Sequence, residues 1–171
     1  MRTRSLFVAA AAAILALAQP GLATAEGDPS TTVTFTVTSG ALSMSVPVSA
    51  SLGSGAPGTT ISGAIGPCTV TDDRALLSAS WTVTAAETDF ANGSSTIPAT
   101  AATYSPGAVT TTGTITVTPT NVTLSNSAQT VVTGTAGVGD NTATWNPTVA
   151  VTVPASAVGG TYTGTLTQSV A

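Results

Sequence analysis

The stretch Thr110-Thr-Thr-Gly-Thr-Ile-Thr-Val-Thr-Pro-Thr120 carries no charge and alternates Ile115 and Val117 with threonine. Threonine is stiff at χ1, which costs a helix stability and suits a pleated surface. Alternation at period two puts Ile115 and Val117 on one face of a strand and the hydroxyls on the other. The same period recurs in both directions. Toward the C-terminus, Val149, Val151 and Val153 alternate before Pro154, and Tyr162, Leu166 and Val170 share one parity around Gly164. Toward the N-terminus, Trp81, Val83 and Ala85 alternate within Ser80–Ala86, and Leu42, Met44, Val46 and Val48 alternate after Ser39-Gly40. Val33, Phe35 and Val37 alternate just before that Ser-Gly pair, so the two runs predict a hairpin. Residues 51–60 are rich in Gly, Ser and Pro and read as a loop; Ala155-Ser156-Ala157 reads as a brief helical turn. Turn residues recur about every ten positions, and no helical stripe occurs beyond the first 25 residues. The expectation is an all-β chain, an antiparallel β-sandwich of Ig-like, Greek-key type with roughly 8–10 short strands, preceded by a signal-peptide helix.

Charge excludes several function classes. The 171 residues include 3 Lys+Arg, 7 Asp+Glu and no histidine, and 6% are charged where roughly 25% is usual. Ser-His-Asp and Cys-His catalysis need an imidazole that is not there. One cysteine without histidine makes no structural zinc site. A nucleic-acid interface needs a basic patch, and the only cations are Arg2, Arg4 and Arg74. An apolar content of 42% argues against simple disorder.

Arg2 and Arg4 precede the apolar run Leu6–Leu17; Pro20-Gly21 then breaks it, and Ala23-Thr24-Ala25 has the small-x-small form of a cleavage site. This predicts a secretory signal peptide over residues 1–25, cut between Ala25 and Glu26. As a helix the run is about 18 Å long, too short for a hydrocarbon core of about 30 Å. Residues 26–30 are expected to be a disordered leader and residues 31–171 a single β domain. Loss of Arg2 and Arg4 removes two positive charges and takes the formal net charge from −4 to −6. Such a protein is repelled by anionic membranes and nucleic acid, so it binds by hydrogen bonds and stacking. Cys68 is alone and cannot form an internal disulfide; it reads as a small buried apolar residue.

Asp72-Asp73 followed by Arg74 reads as a polar turn at a strand end, with Arg74 paired to one aspartate. The alternatives are a calcium ligand set, which needs six to eight oxygens, or half of a hydrolytic pair. Asp72, Asp73, Glu87, Asp89 and Asp140 are the available acids, and no spacing marks two of them as facing each other. No catalytic, metal or cofactor set is therefore assigned. Trp81, Trp145, Tyr104 and Tyr162 can be core anchors or, if exposed, a stacking platform for sugar rings. Trp81 and Tyr162 alternate with aliphatics and read as core. Trp145, followed by Asn146-Pro147, reads as a strand start or loop edge and is the better candidate for partial exposure.

Val70-Thr-Asp-Asp-Arg74, Ser80-Trp-Thr-Val83 and Asp89-Phe90 resemble the first signature of the WxL-type surface domain, with Val83 where that family has leucine. Trp145-Asn-Pro-Thr-Val-Ala-Val-Thr-Val-Pro154 and Gly160-Thr-Tyr-Thr-Gly-Thr-Leu-Thr167 resemble its C-terminal strand pair. The family's second Trp-x-Leu is replaced by Gln168-Ser169-Val170, as in a divergent, actinobacterial-style member. The resemblance implies an exported, non-catalytic protein held non-covalently on the Gram-positive cell surface, with peptidoglycan or another wall glycan as ligand. Trp145, Trp81, Tyr162, Asp72 and Arg74 are then the candidate wall- or partner-binding residues. The sequence ends without an apolar tail or sorting motif, which leaves retention to the folded surface. A second expectation is a structural subunit that binds other exported β proteins through an uncharged strand edge. No cofactor, nucleic acid or membrane span of the mature chain is expected.

Overall fold

The structure is a computed structural model that describes residues 30–171. The expected signal peptide and its helix, the expected Ala25–Glu26 junction and residues 26–29 lie outside the described residues. Thr36–Ala171 is one compact unit, and residues 30–35 group apart from it.

The described residues form twelve strands: β1 Leu42–Ser45, β2 Thr60–Ala64, β3 Cys68–Asp72, β4 Leu77–Glu87, β5 Phe90–Asn92, β6 Ser95–Ile97, β7 Ala102–Ser105, β8 Val109–Pro119, β9 Val122–Thr123, β10 Gln129–Trp145, β11 Thr148–Thr152 and β12 Leu166–Val170. One short 3-10 turn, Ala99–Ala101, precedes β7. Every strand pairing is antiparallel. A six-stranded sheet runs β1-β3-β10-β4-β12 with β8 on the far edge of β10; a four-stranded sheet runs β2-β11-β7-β9; β5 and β6 form a hairpin. The fold is all-β and sandwich-like, because side chains of both larger sheets share one core. Val70, Trp81, Val83, Val132 and Trp145 of the first meet Ala102, Tyr104, Val149 and Val151 of the second.

The strands form where period two is clean. On β4 the buried positions are Ala79, Trp81, Val83, Ala85 and Glu87, every second residue. Gly134 of β10 lies opposite Trp81, and a Cβ there would collide with the indole. The glycine makes room for the largest side chain of the sheet.

β3 and β4 lie end to end along one edge of β10. Asp72 faces Asn141, and after the interruption Leu77 faces Val138. The interruption is a line of backbone kinks across three strands. Ala75 and Ser78 have positive φ on one side, Ala136 and Gly139 on β10, and Gly113 on β8. The registers of β10 against β4 and against β8 shift at the same place. Bulges of this kind bend long strands into the corners of a closed core. The bend brings Gln168 of β12 within 3.6 Å of Cys68 Sγ on β3.

Three expectations are corrected. Val33, Phe35 and Val37 form no strand, and the predicted hairpin with Leu42–Val48 is not made. β1 ladders onto β3 instead, with Met44 opposite the fully buried Val70. Alternation gives a residue a face, but the strand that covers the core wins the pairing. The strand count is twelve, because short ladders such as β5–β6 and β9 carry too few residues to show a period. Next to Tyr162 only Thr163 is paired, in a single antiparallel bridge with Ala91, and the ladder of β12 begins at Leu166. The loop before β2 and the turn after Pro154, closed by the Ala157 N–H on the Pro154 carbonyl at 3.0 Å, are as expected.

Candidate functional site

Trp145 is buried, with 2% of its surface exposed, and cannot stack on a sugar. Its indole N–H donates to Tyr104 Oη at 2.9 Å, and Tyr104 O–H donates to Gln168 Oε1 at 2.8 Å. Asn146-Pro147 ends β10 without exposing the ring, because the chain turns straight into β11 and folds the second sheet over it. Burial pushes the Tyr104 phenol and the Cys68 thiol up, so both stay neutral inside the network. Trp81 is also buried at 2%, as its alternation predicts. Neither tryptophan is a contact surface.

Asp72 is fully buried and Arg74 holds it with two parallel bonds, Nε to Oδ1 at 2.8 Å and Nη2 to Oδ2 at 2.9 Å. Nη2 also donates to the Ser80 carbonyl at 2.9 Å. The guanidinium therefore bridges the end of β3 to the start of β4 across the kink. These bonds hold the Asp72 carboxyl below its ordinary range. A bidentate pair of this geometry fixes orientation as well as charge. The pair clamps the strand break; Asp72 is fully buried behind it, while the Arg74 side chain stays 28% exposed. No group of three or more ligating side chains that could hold a metal occurs among the described residues.

Tyr162 is different. It is half-buried, its hydroxyl is tied to both backbone polar groups of Val158 at 3.1 and 3.2 Å, and its ring borders a groove. The groove has a volume of about 740 Å³, within the range of sites that take small ligands or peptide segments. It opens between β12 and β2, each of which is the last strand of its sheet. Residues 46–57, which form no strand, make one wall, and residues 157–165 make another. The buried Val149, Val151 and Val153 border it, with the half-buried Ile61, Phe90 and Leu166.

Glu87, at the end of β4, is the one acid bordering this groove among the described residues. It is 5% exposed, and its Oε1 has no hydrogen-bond partner. Burial raises its pKa from 4.5 to about 7, only partly offset by a backbone hydrogen bond from Thr88. Gly164 lies against it: a Cβ there would sit 2.5 Å from Oε1 and 2.8 Å from the Phe90 ring. The groove thus mixes aliphatic and aromatic side chains with Ser, Thr and backbone polar groups, and suits an uncharged guest that is part apolar and part hydrogen-bonding.

Of the candidate residues, the structure brings only Tyr162 to this groove. Glu87 stood in the sequence as one acid among five, and its position on the buried parity of Trp81, Val83 and Ala85 was the available signal. Gln168 was visible only as a departure from the WxL pattern. No family model, curated protein or solved structure matches the chain. The likeness to WxL-type domains therefore rests on the quoted residues alone.

Proposed function

We propose that this chain is an exported, non-catalytic cell-surface protein that works by non-covalent association through its β domain, as a subunit of a surface assembly. The observation that carries this reading is the open, part-apolar groove between two end strands. A guest there gains apolar burial from the side chains that border it and backbone hydrogen bonds from an unpaired edge, and both are offered by another β protein. The outer edge of β8 supports the same reading: β8 pairs only with β10, is mostly exposed, and carries no charge over Val109–Pro119. Export rests on the segment Arg2–Ala25, and a Gram-positive surface on the WxL-like residues. An Ig-like, Greek-key arrangement is supported by the way the chain passes between the two larger sheets at most of its connections.

The test is sedimentation of the purified full chain over a wide concentration range, alone and mixed with proteins exported by the same cells. Association that grows with concentration is expected. A strict monomer in every mixture would overturn the reading.

A second reading, retention on peptidoglycan, has Tyr162 and Phe90 in its favour, since both rings border the groove. Its test is a pull-down with purified sacculi at low and high salt, before and after removal of teichoic acids. Binding that survives salt and improves on stripping supports glycan or peptide recognition by an acidic protein. Protein left in the supernatant under all conditions removes it.

A further inference from the structure

We infer that the groove receives an added β-strand, and that this strand is residues 31–37 of a second copy of the chain. The inference rests on the assembly reading above and names its partner.

The segment Thr31-Thr-Val-Thr-Phe-Thr-Val37 has the composition of a strand and pairs with none. Val33, Phe35 and Val37 are exposed at 83, 88 and 74%. Three large apolar side chains on one face, all in water, are a strong drive toward burial. The groove carries exposed apolar side chains of its own, Val46, Val48 and Val158 at 39, 103 and 60%, over the buried Val149, Val151 and Val153. An incoming strand also meets the unpaired outer edges of β12 and β2. It can therefore satisfy its own N–H and C=O groups as it buries its side chains, which a loose apolar tail cannot. Residues 31–37 carry no charge, so nothing is desolvated at cost beside Glu87. Each copy gives one segment and receives one, so the contact joins copies either as a reciprocal exchange or as a longer series of subunits.

The experiment uses the full chain exported by a host with its own N-terminal segment, with a photo-reactive benzoyl-phenylalanine at position 35. Light and heavy isotope-labelled copies are mixed before illumination. Mixed-label crosslinks from residues 31–37 to β11, β12 or residues 157–165 are expected. Crosslinks found only within one label, or only outside the groove, would overturn the inference.

Two variants give an independent arm. Phe35→Asp changes an exposed residue, and Gly159→Trp places a ring on the groove wall where an added Cβ meets nothing within 4 Å. Both should keep the parent's thermal midpoint and sediment as monomers at concentrations where the parent is associated. If the parent associates and both variants associate equally, strand insertion falls and the assembly reading stands. If the parent is monomeric alone but associates with other exported proteins, self-insertion falls in the same way. If nothing associates, both fall.

Discussion

Trp81 and Glu87 sit on the same buried face of β4, six positions apart in sequence, and meet opposite surroundings. Trp81 faces a glycine that β10 provides for it and shares a core with Trp145 and Tyr104, its own indole N–H having no hydrogen-bond partner. Glu87 faces Gly164 and Phe90 at the mouth of an open groove, with one carboxylate oxygen unpartnered. Trp81 lies in mid-strand among packed core residues, and Glu87 ends the strand beside the groove. Low exposure alone does not separate them, since both residues are nearly inaccessible. What separates them is whether the neighbouring volume is filled. The packed core accounts for stability, and the open end is where a guest can act.

The largest effects should come from the packed core. Trp145→Ala and Trp81→Ala should each cost about 3–5 kcal/mol in denaturant unfolding, as large buried aromatics do. If Trp145→Ala left stability intact and altered only association, the packed core would have been placed wrongly. Arg74→Ala leaves Asp72 buried without its partner and should cost about 3 kcal/mol, measured the same way. A near-neutral result would mean that the strand break needs no clamp.

The open end should show itself in pH. The folded-state pKa of Glu87 is raised to about 7 from 4.5, so the unfolded chain ionises first. The stability this group contributes is complete below pH 4.5 and is lost as pH rises through about 7. Glu87→Gln should remove that slope and leave the protein more stable than the parent at pH 8 by about 2–3 kcal/mol. Chemical unfolding at pH 4, 6 and 8 checks both points, and parallel curves for parent and variant would contradict the placement. The smallest effect on stability belongs to groove and segment variants. Phe35→Asp and Gly159→Trp should move unfolding by no more than about 0.5 kcal/mol, since neither disturbs packed atoms. A large loss from either would show that the groove is part of the closed core.

Much of this was legible in the residues. Trp81, Val83 and Ala85 announced β4, Val149 and Val151 announced β11, and the threonine run announced β8, because a strand's period is local and needs no partner to be read. The pairing of Asp72 with Arg74 was legible for the same reason, being two residues long. Trp145 was misread because Asn146-Pro147 marks the end of a strand without saying whether a second sheet covers it. Val33–Val37 was misread because its alternation is real and its partner is not specified by alternation. The WxL-like residues pointed to a place of action, while the side chains that carry the likeness turned out to hold the fold.

By itself, then, the sequence determined the β class, the exclusion of imidazole and basic-patch chemistry, and which positions prefer an apolar face. Those are properties of single residues and of period two. Only the tertiary structure decided which faces were covered. It bent β10 along the kinks at Ala136 and Gly139, packed the core around Trp81 in the middle of β4, and left the end of β4 at Glu87 beside the groove. Burial belongs to the volume around a side chain, and that volume is filled by residues far away in the chain, whose arrival no local pattern records.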